Sequence, residues 1–166
     1  TFATVAGTMG IGLALALILN LGLRGRDAAR TVLFAPYVVS GAAVGITWLF
    51  IFDPRFGLVA AILGRAGIAS PNWYNDPDWA MPMVIIVYVW KNLGYATVVY
   101  LAGLQTVPRE LYEAARVDGA GRWARFRHVT VPQLSPMTFF LLITTILSSM
   151  QAFDIINVMT DGGPLD

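Results

Sequence analysis

Residues 113–132 read EAARVDGAGRWARFRHVTVP, a charged stretch set between two strongly apolar ones. Pro108, Glu110, Leu111, Glu113, Ala114, Ala115 and Arg116 just before and within it read as a short helix. Proline is tolerated near such a start because the first-turn amides have no intrahelical partner. Glu110 places negative charge where the helix dipole favours it. Asp118-Gly119 and Gly121 then stop the helix, since glycine accepts the left-handed geometry of a helix end. On a helical wheel Leu111, Ala114, Ala115 and Asp118 share one side, and Arg109, Tyr112, Glu113 and Arg116 share the other. The two alanines suit close approach to something flat.

The flanking sequence places this segment in a membrane protein. Of 166 residues, 57% are hydrophobic and only 13% charged, where soluble domains carry about 25% charged residues. The fold class is therefore an all-α polytopic transmembrane helix bundle. There is no cysteine, hence no disulfide framework, thiolate metal site or cysteine nucleophile. The chain begins at Thr1 with an apolar span under way and reaches Asp166 just past another, and we read it as a piece of a longer membrane protein. Its first span lacks the basic segment of a signal peptide.

Four spans are expected within a single transmembrane domain over 1–166, at about 2–23, 32–52, 80–104 and 135–159. Each can cross ~30 Å of hydrocarbon. Gly7, Gly10, Gly12, Ala14 and Ala16 in the first suit close helix packing. Pro36 and Ser40-Gly41 predict a kink in the second. The loop 53–79 carries turn signals around Phe56, Leu58, Val59, Ile62 and Leu63, which read as a short interfacial helix. The loop before the second span and the loop 105–134 hold eight of the eleven Lys and Arg residues. By the positive-inside rule that side is cytoplasmic and the loop 53–79 external. Trp123 and Phe126, among Arg122, Arg125 and Arg127, suit the inner headgroup level.

Glu113-Ala114-Ala115, three residues, Gly119, nine residues, Val129, one residue and Val131-Pro132 resemble the EAA loop of binding-protein-dependent type I ABC importer permeases. Val129 and Val131 replace the usual Ile and Leu. Trp90-Lys91-Asn92-Leu93-Gly94-Tyr95 and Met159-Thr160-Asp161-Gly162-Gly163-Pro164 resemble segments of the carbohydrate and glycerol-3-phosphate branch of that family. The resemblance implies a six-span core of which this chain holds spans two to five. It implies a prokaryotic plasma (inner) membrane and a second, homologous permease subunit as partner. It also implies two cytoplasmic ATPase subunits that bind ATP and Mg²⁺, and an extracytoplasmic solute-binding protein. The coupling contact with the ATPase would involve Arg109, Glu110, Tyr112, Glu113, Ala114, Ala115, Arg116, Asp118 and Gly119.

The chain itself shows no enzyme chemistry. No Gly-x-x-x-x-Gly-Lys-Ser/Thr string is present to cradle phosphates. His128 has no second ligand at metal spacing, and nothing points to a cofactor in this chain or to nucleic acid. A charge inside a span costs ~2.5–3.5 kcal/mol and so faces a partner or water. Candidates for a solute pathway are therefore Trp90, Lys91, Asn92 and Tyr95 in the third span and Ser148, Gln151, Asp154 and Asn157 in the fourth. The last four recur at three-residue steps and should share one helix stripe. Lys91, ~16 Å into its span, can reach toward Asp154. Arg109 and Glu113 at i,i+4 can brace each other, for only ~0.3–0.5 kcal/mol. Two alternatives remain on these residues. An ion-coupled secondary transporter would use Lys91 and Asp154, and a membrane scaffold would use the basic loop to hold a partner or anionic lipid.

Overall fold

The computed structural model describes residues 1–21, 25–73, 76–151 and 153–160. The described residues form helices with no strand among them. α1 spans Phe2–Asn20, α2 Arg26–Val38, α3 Gly41–Phe52, α4 Leu58–Arg65 and α5 Pro77–Thr106. α6 follows at Arg109–Val117 and α7 at Arg122–Arg125. A π-helical turn, Phe126–Thr130, leads into α8 (Val131–Gln133), α9 (Ser135–Met150) and α10 (Phe153–Thr160). α1 and α5 are each long and apolar enough to cross a membrane; the bent pairs α2–α3 and α7–α8 with α9 bring the possible crossings to four.

α5 is the central element. Asp76 caps its start, the carboxylate accepting the Asp78 amide at 3.0 Å, with Pro77 in the first turn, where the missing amide is no loss. Its 30 residues extend about 45 Å at 1.5 Å per residue. Two apolar clusters form along it. One joins Ala16 and Leu19 of α1, Ala96, Tyr100, Leu101 and Leu104 of α5, Leu134, and Leu141 of α9. The other joins Val44 and Phe52 of α3, Trp73, Met83, Val87 and Tyr88 of α5, and Ile155 and Met159 of α10. Many large apolar side chains face outward, Phe2, Val32, Phe50, Phe139 and Met150 among them, as befits surfaces whose solvent is hydrocarbon.

Small residues set the spacing. The buried residues of α1 (Thr4, Val5, Thr8, Gly12, Ala16 and Leu19) fall on one helical stripe. A Cβ on Gly12 would stand 2.8 Å from the Ala96 Cβ, and one on Gly7 3.2 Å from a Val89 methyl, whereas Gly10 faces open space. The tightest crossing is at Gly94, where a Cβ would fall on the Leu33 carbonyl oxygen and 2.8 Å from the Phe34 Cα. α2 and α5 thus meet backbone to backbone.

Two expected spans depart from single helices. Over 32–52 the chain forms α2 and α3, turned by 102°, with Val39 extended between them and the Ser40 hydroxyl accepting the Ala43 amide at 3.3 Å. The proline and Ser-Gly kink is therefore a full break. Pro36 removes one helical hydrogen bond, and Ser40 starts a new helix as its N-cap. Over 135–159 the helix ends after Met150 and α10 begins at Phe153. There the Ser149 hydroxyl donates to the Ile146 carbonyl at 2.9 Å, a local bond that competes with the helical pattern. Ser148, Gln151, Asp154 and Asn157 therefore do not share one continuous helix stripe.

In the loop 53–79, the Asp53 carboxylate accepts the Arg55 and Phe56 amides at 2.8 and 3.2 Å, turning the chain into α4. Trp73 packs on Phe52 and Trp79, with ring centroids 4.9 and 5.0 Å apart. Gly94→Ala forces a methyl into the Leu33 backbone and should destabilise the bundle by at least roughly 1–3 kcal/mol. Gly10→Ala should be neutral. Thermal melting of both variants in detergent checks this, and equal melting would show that the close crossing at Gly94 is not required.

Candidate functional site

Two regions carry polar chemistry: a cavity beside α5, and the loop between α5 and α9. The cavity consists of two adjoining spaces of about 200 and 170 Å³ that share Tyr88, Asn92 and Ser148. Thr8, Tyr37, Tyr95, Thr144 and Thr145 complete the first; Gly41, Lys91, Gln151 and Ile155 complete the second. Five of the expected pathway residues, Lys91, Asn92, Tyr95, Ser148 and Gln151, are thus brought together. Trp90 lies elsewhere, its ring edge-on to Trp48 at 5.2 Å. The side chains of Asp154 and Asn157 lie outside the described residues, as does the segment 161–166 with Gly162-Gly163-Pro164.

Lys91 does not extend freely into this space. Its ammonium donates to the Val39 carbonyl at 2.7 Å and the Tyr37 carbonyl at 3.1 Å. It also lies 5.7 Å above the Tyr37 ring, which stacks on Tyr95 at 4.9 Å with planes 12° apart. The last carbonyls of any helix lack intrahelical partners, and a cation at a helix C-terminus is favoured by the dipole. Lys91 therefore closes the end of α2 at the break. The Asn92 amide donates to the Tyr88 carbonyl at 2.9 Å. The buried hydroxyls of Thr8 and Tyr88 have no hydrogen-bond partner among the described residues and border the first space. Either can bond water or a hydroxyl-rich solute.

Sequence reasoning missed Thr8, Tyr37 and Tyr88 in this cavity. Tyr88 was legible, since Tyr88, Asn92 and Tyr95 fall at i, i+4 and i+7 on one face of α5. Thr8 and Tyr37 come from other helices, and nothing in their local sequence marks them.

In the loop, α6 stands apart from both apolar clusters, and none of its residues is buried. It ends in a Schellman motif: the Gly119 amide donates to the Arg116 carbonyl at 3.0 Å and the Ala120 amide to the Ala115 carbonyl at 2.8 Å. Gly119 has φ +76°, which only glycine adopts cheaply. Tyr112 and Ala115 are half-buried, while Leu111, Glu113, Ala114, Arg116 and Asp118 are exposed. The exposed face is thus rotated from the expected one: Tyr112 turns inward and Ala115 with it. Arg109 and Glu113 form no ion pair among the described residues; the described pairs are those of Asp27 with Arg26 and Arg30. Solvated i,i+4 charges gain little by closing. Farther on, Trp123 packs on Phe126 at 5.4 Å, and the His128 Nδ1 bonds the Ala124 carbonyl at 2.9 Å.

A bundle built on apolar helices long enough to span a membrane, a broken span around a polar cavity and an unburied charged helix between two apolar arms make up a polytopic membrane-type helix bundle. The chain belongs to the family of the binding-protein-dependent transport system inner membrane component, whose model matches residues 8–166. It is 38% identical over 164 residues to the sulfoquinovosyl glycerol transport system permease protein SmoG of Agrobacterium fabrum, covering 99% of this chain and 53% of that protein. It is 41% identical over 157 residues to the sn-glycerol-3-phosphate transport system permease protein UgpA of Brucella abortus, covering 94% of this chain and 53% of that protein. A chain of a bacterial alginate ABC transporter, crystallised in complex with an alginate pentasaccharide-bound periplasmic protein, superposes with a TM-score of 0.81 at 26% identity. That match covers 96% of this chain and 59% of the other. The chain spans about half the length of the curated relatives it matches.

Lys91→Met keeps the length of the side chain but leaves the Tyr37 and Val39 carbonyls without their donor, which should cost roughly 1–3 kcal/mol. Lys91→Arg should retain most of that stability. Melting in detergent distinguishes them, and a native melting point for Lys91→Met would remove the assigned role.

Proposed function

We propose that this chain is the membrane-spanning part of a permease subunit of an ATP-driven importer. Its solute is a carbohydrate or a glycerol-3-phosphate-type compound delivered by an extracytoplasmic binding protein. The observation that carries this reading is α6. The helix bearing Glu113-Ala114-Ala115 is short, firmly ended at Gly119 and unburied, the form of an element seated in another protein. In this reading ATP and Mg²⁺ are bound by two separate ATPase subunits on the cytoplasmic side, and α6 sits in a cleft on one of them. Ala114 permits close seating there, and Glu113 offers a charge-assisted hydrogen bond. Arg109, Glu110 and Arg116 flank that contact, and Asp118-Gly119 returns the chain to the membrane. A second, homologous permease completes the pathway.

The relatives' named cargoes, sulfoquinovosyl glycerol and sn-glycerol-3-phosphate, both carry hydroxyl groups. The cavity suits such groups, with Asn92, Ser148 and Gln151 beside the hydroxyls of Thr8 and Tyr88. Lys91 is the one charged residue lining it among the described residues, and it is bonded to backbone carbonyls. That disposition favours solvation of a polyol over ion-coupled transport.

Glu113→Lys and, separately, Gly119→Val should give a subunit that inserts and meets its permease partner. The ATPase should then bind roughly ten- to a hundredfold more weakly, the worth of one shielded charge-assisted hydrogen bond. Solute-loaded binding protein should no longer stimulate ATP hydrolysis in the reconstituted complex. Native stimulation and uptake in both variants would sink the proposal.

The topology is checked separately. The chain has no cysteine of its own, so single cysteines at positions 26, 72 and 122 report sidedness directly. An impermeant reagent should label positions 26 and 122 from the cytoplasm and 72 from outside. Labelling of 72 and 122 from one side would refute this arrangement.

A further inference from the structure

α6 is held to the rest of the chain at few points. It is joined covalently to α5 through Val107-Pro108 and to α7 through the Gly119 turn, and none of its residues is buried. Among the described residues one side-chain bond crosses from it to another element: the Tyr112 hydroxyl and the Thr130 Oγ1 lie 2.9 Å apart. Thr130 is only 4% exposed. It closes the π-helical turn Phe126–Thr130, and its carbonyl accepts the Leu134 amide at 3.0 Å. Leu134, 1% exposed, sits in the apolar cluster with Leu101 and Leu104 of α5. A Cβ on Gly103 of α5 would stand 2.9 Å from a Leu134 methyl, so this point of the chain has no room to drift. Beyond it the helix turns by 62° into α9, which lines the cavity through Thr144, Thr145 and Ser148.

We propose that the Tyr112–Thr130 hydrogen bond is the strut that carries displacement of α6 into the start of α9, making Tyr112 and Thr130 positioning residues for transport. The physical reason is stiffness. An exposed helix tethered only by its chain ends can rock without moving the bundle. A bond to a buried side chain one turn before a core leucine makes such rocking pull on α9 directly. The π-helical turn suits the receiving end, because its extra residue per turn is a local irregularity able to absorb a shift. The proposal rests on the reading of α6 as the seat of the ATPase.

The test uses the full-length subunit in the reconstituted complex with its permease partner, ATPase and binding protein. ATP hydrolysis is measured with and without solute-loaded binding protein. Thr130→Val, which keeps the shape and removes the hydroxyl, should leave basal hydrolysis native and lower the stimulated rate roughly three- to tenfold, the worth of one hydrogen bond. Tyr112→Phe should lower stimulation to the same degree, and the double variant no further than either alone. Thr130→Ser, which keeps the hydroxyl, should retain native stimulation. A residue that only stabilised the loop would change melting without changing the ratio of stimulated to basal rate. Native stimulation in Thr130→Val or Tyr112→Phe, with Glu113→Lys still defective, would overturn the strut alone. Multiplying losses in the double variant would overturn it too. Native stimulation in Glu113→Lys would overturn the reading of α6 and the strut together.

Discussion

Backbone polar groups that leave a helix inside an apolar surrounding must find partners, since hydrocarbon supplies none. The sharp break between α2 and α3 frees such groups at Tyr37 and Val39, and Lys91 of α5 answers both. This one ammonium lets a span turn through 102° beside a polar cavity. Its long apolar stem crosses from one helix to the next, and its charge sits where the dipole of α2 is negative. Gly94, one turn along α5, brings the α2 backbone close enough for that reach. The Tyr37–Tyr95 stack fills the same junction. Lys91 and Tyr95 border the cavity as well as forming this junction, so one short stretch of α5 both closes α2 and shapes the polar space.

α5 organises everything else. Its two halves belong to two separate apolar clusters, one with α1 and the start of α9, the other with α3 and α10. The cavity lies beside α5, bordered by Tyr88, Asn92 and Tyr95 and by residues of α1, α2 and α9. α6 follows α5 after two residues, yet stays outside both clusters. Charge explains this. Arg109, Glu110, Glu113 and Arg116 in nine residues cannot be buried without partners, so the helix remains in the polar phase, tied back through Tyr112. Such a helix gains little from its own bundle beyond that one tie.

Much of this architecture was legible along the chain. Low charge and long apolar runs announced a helical membrane bundle, because a bilayer allows few alternatives. The helix at 109–117 and its glycine stop were legible because capping is local chemistry between residues a few positions apart. So was the weakness at Pro36 and Ser40-Gly41. The spacing of Glu113, Gly119 and Pro132 pointed to the family. What local sequence does not encode is which distant group meets a freed carbonyl or an unpaired hydroxyl. Lys91 read as a partner for Asp154 because two opposite charges in apolar spans invite pairing. The fold gives it two carbonyls more than fifty residues away, and the Asp154 side chain lies outside the described residues. Thr8 and Tyr37 joined the cavity, and Thr130 met Tyr112, only once packing had fixed the helix crossings. The sequence by itself determined the elements, their apolar faces and the family, since these follow from propensity, periodicity and motif. The partners of Lys91, the depth of the break in the second span and the link from α6 to α9 were decided by tertiary structure. Each depends on distances between helices, and those are set by where Gly12, Gly94 and Gly103 let backbones touch.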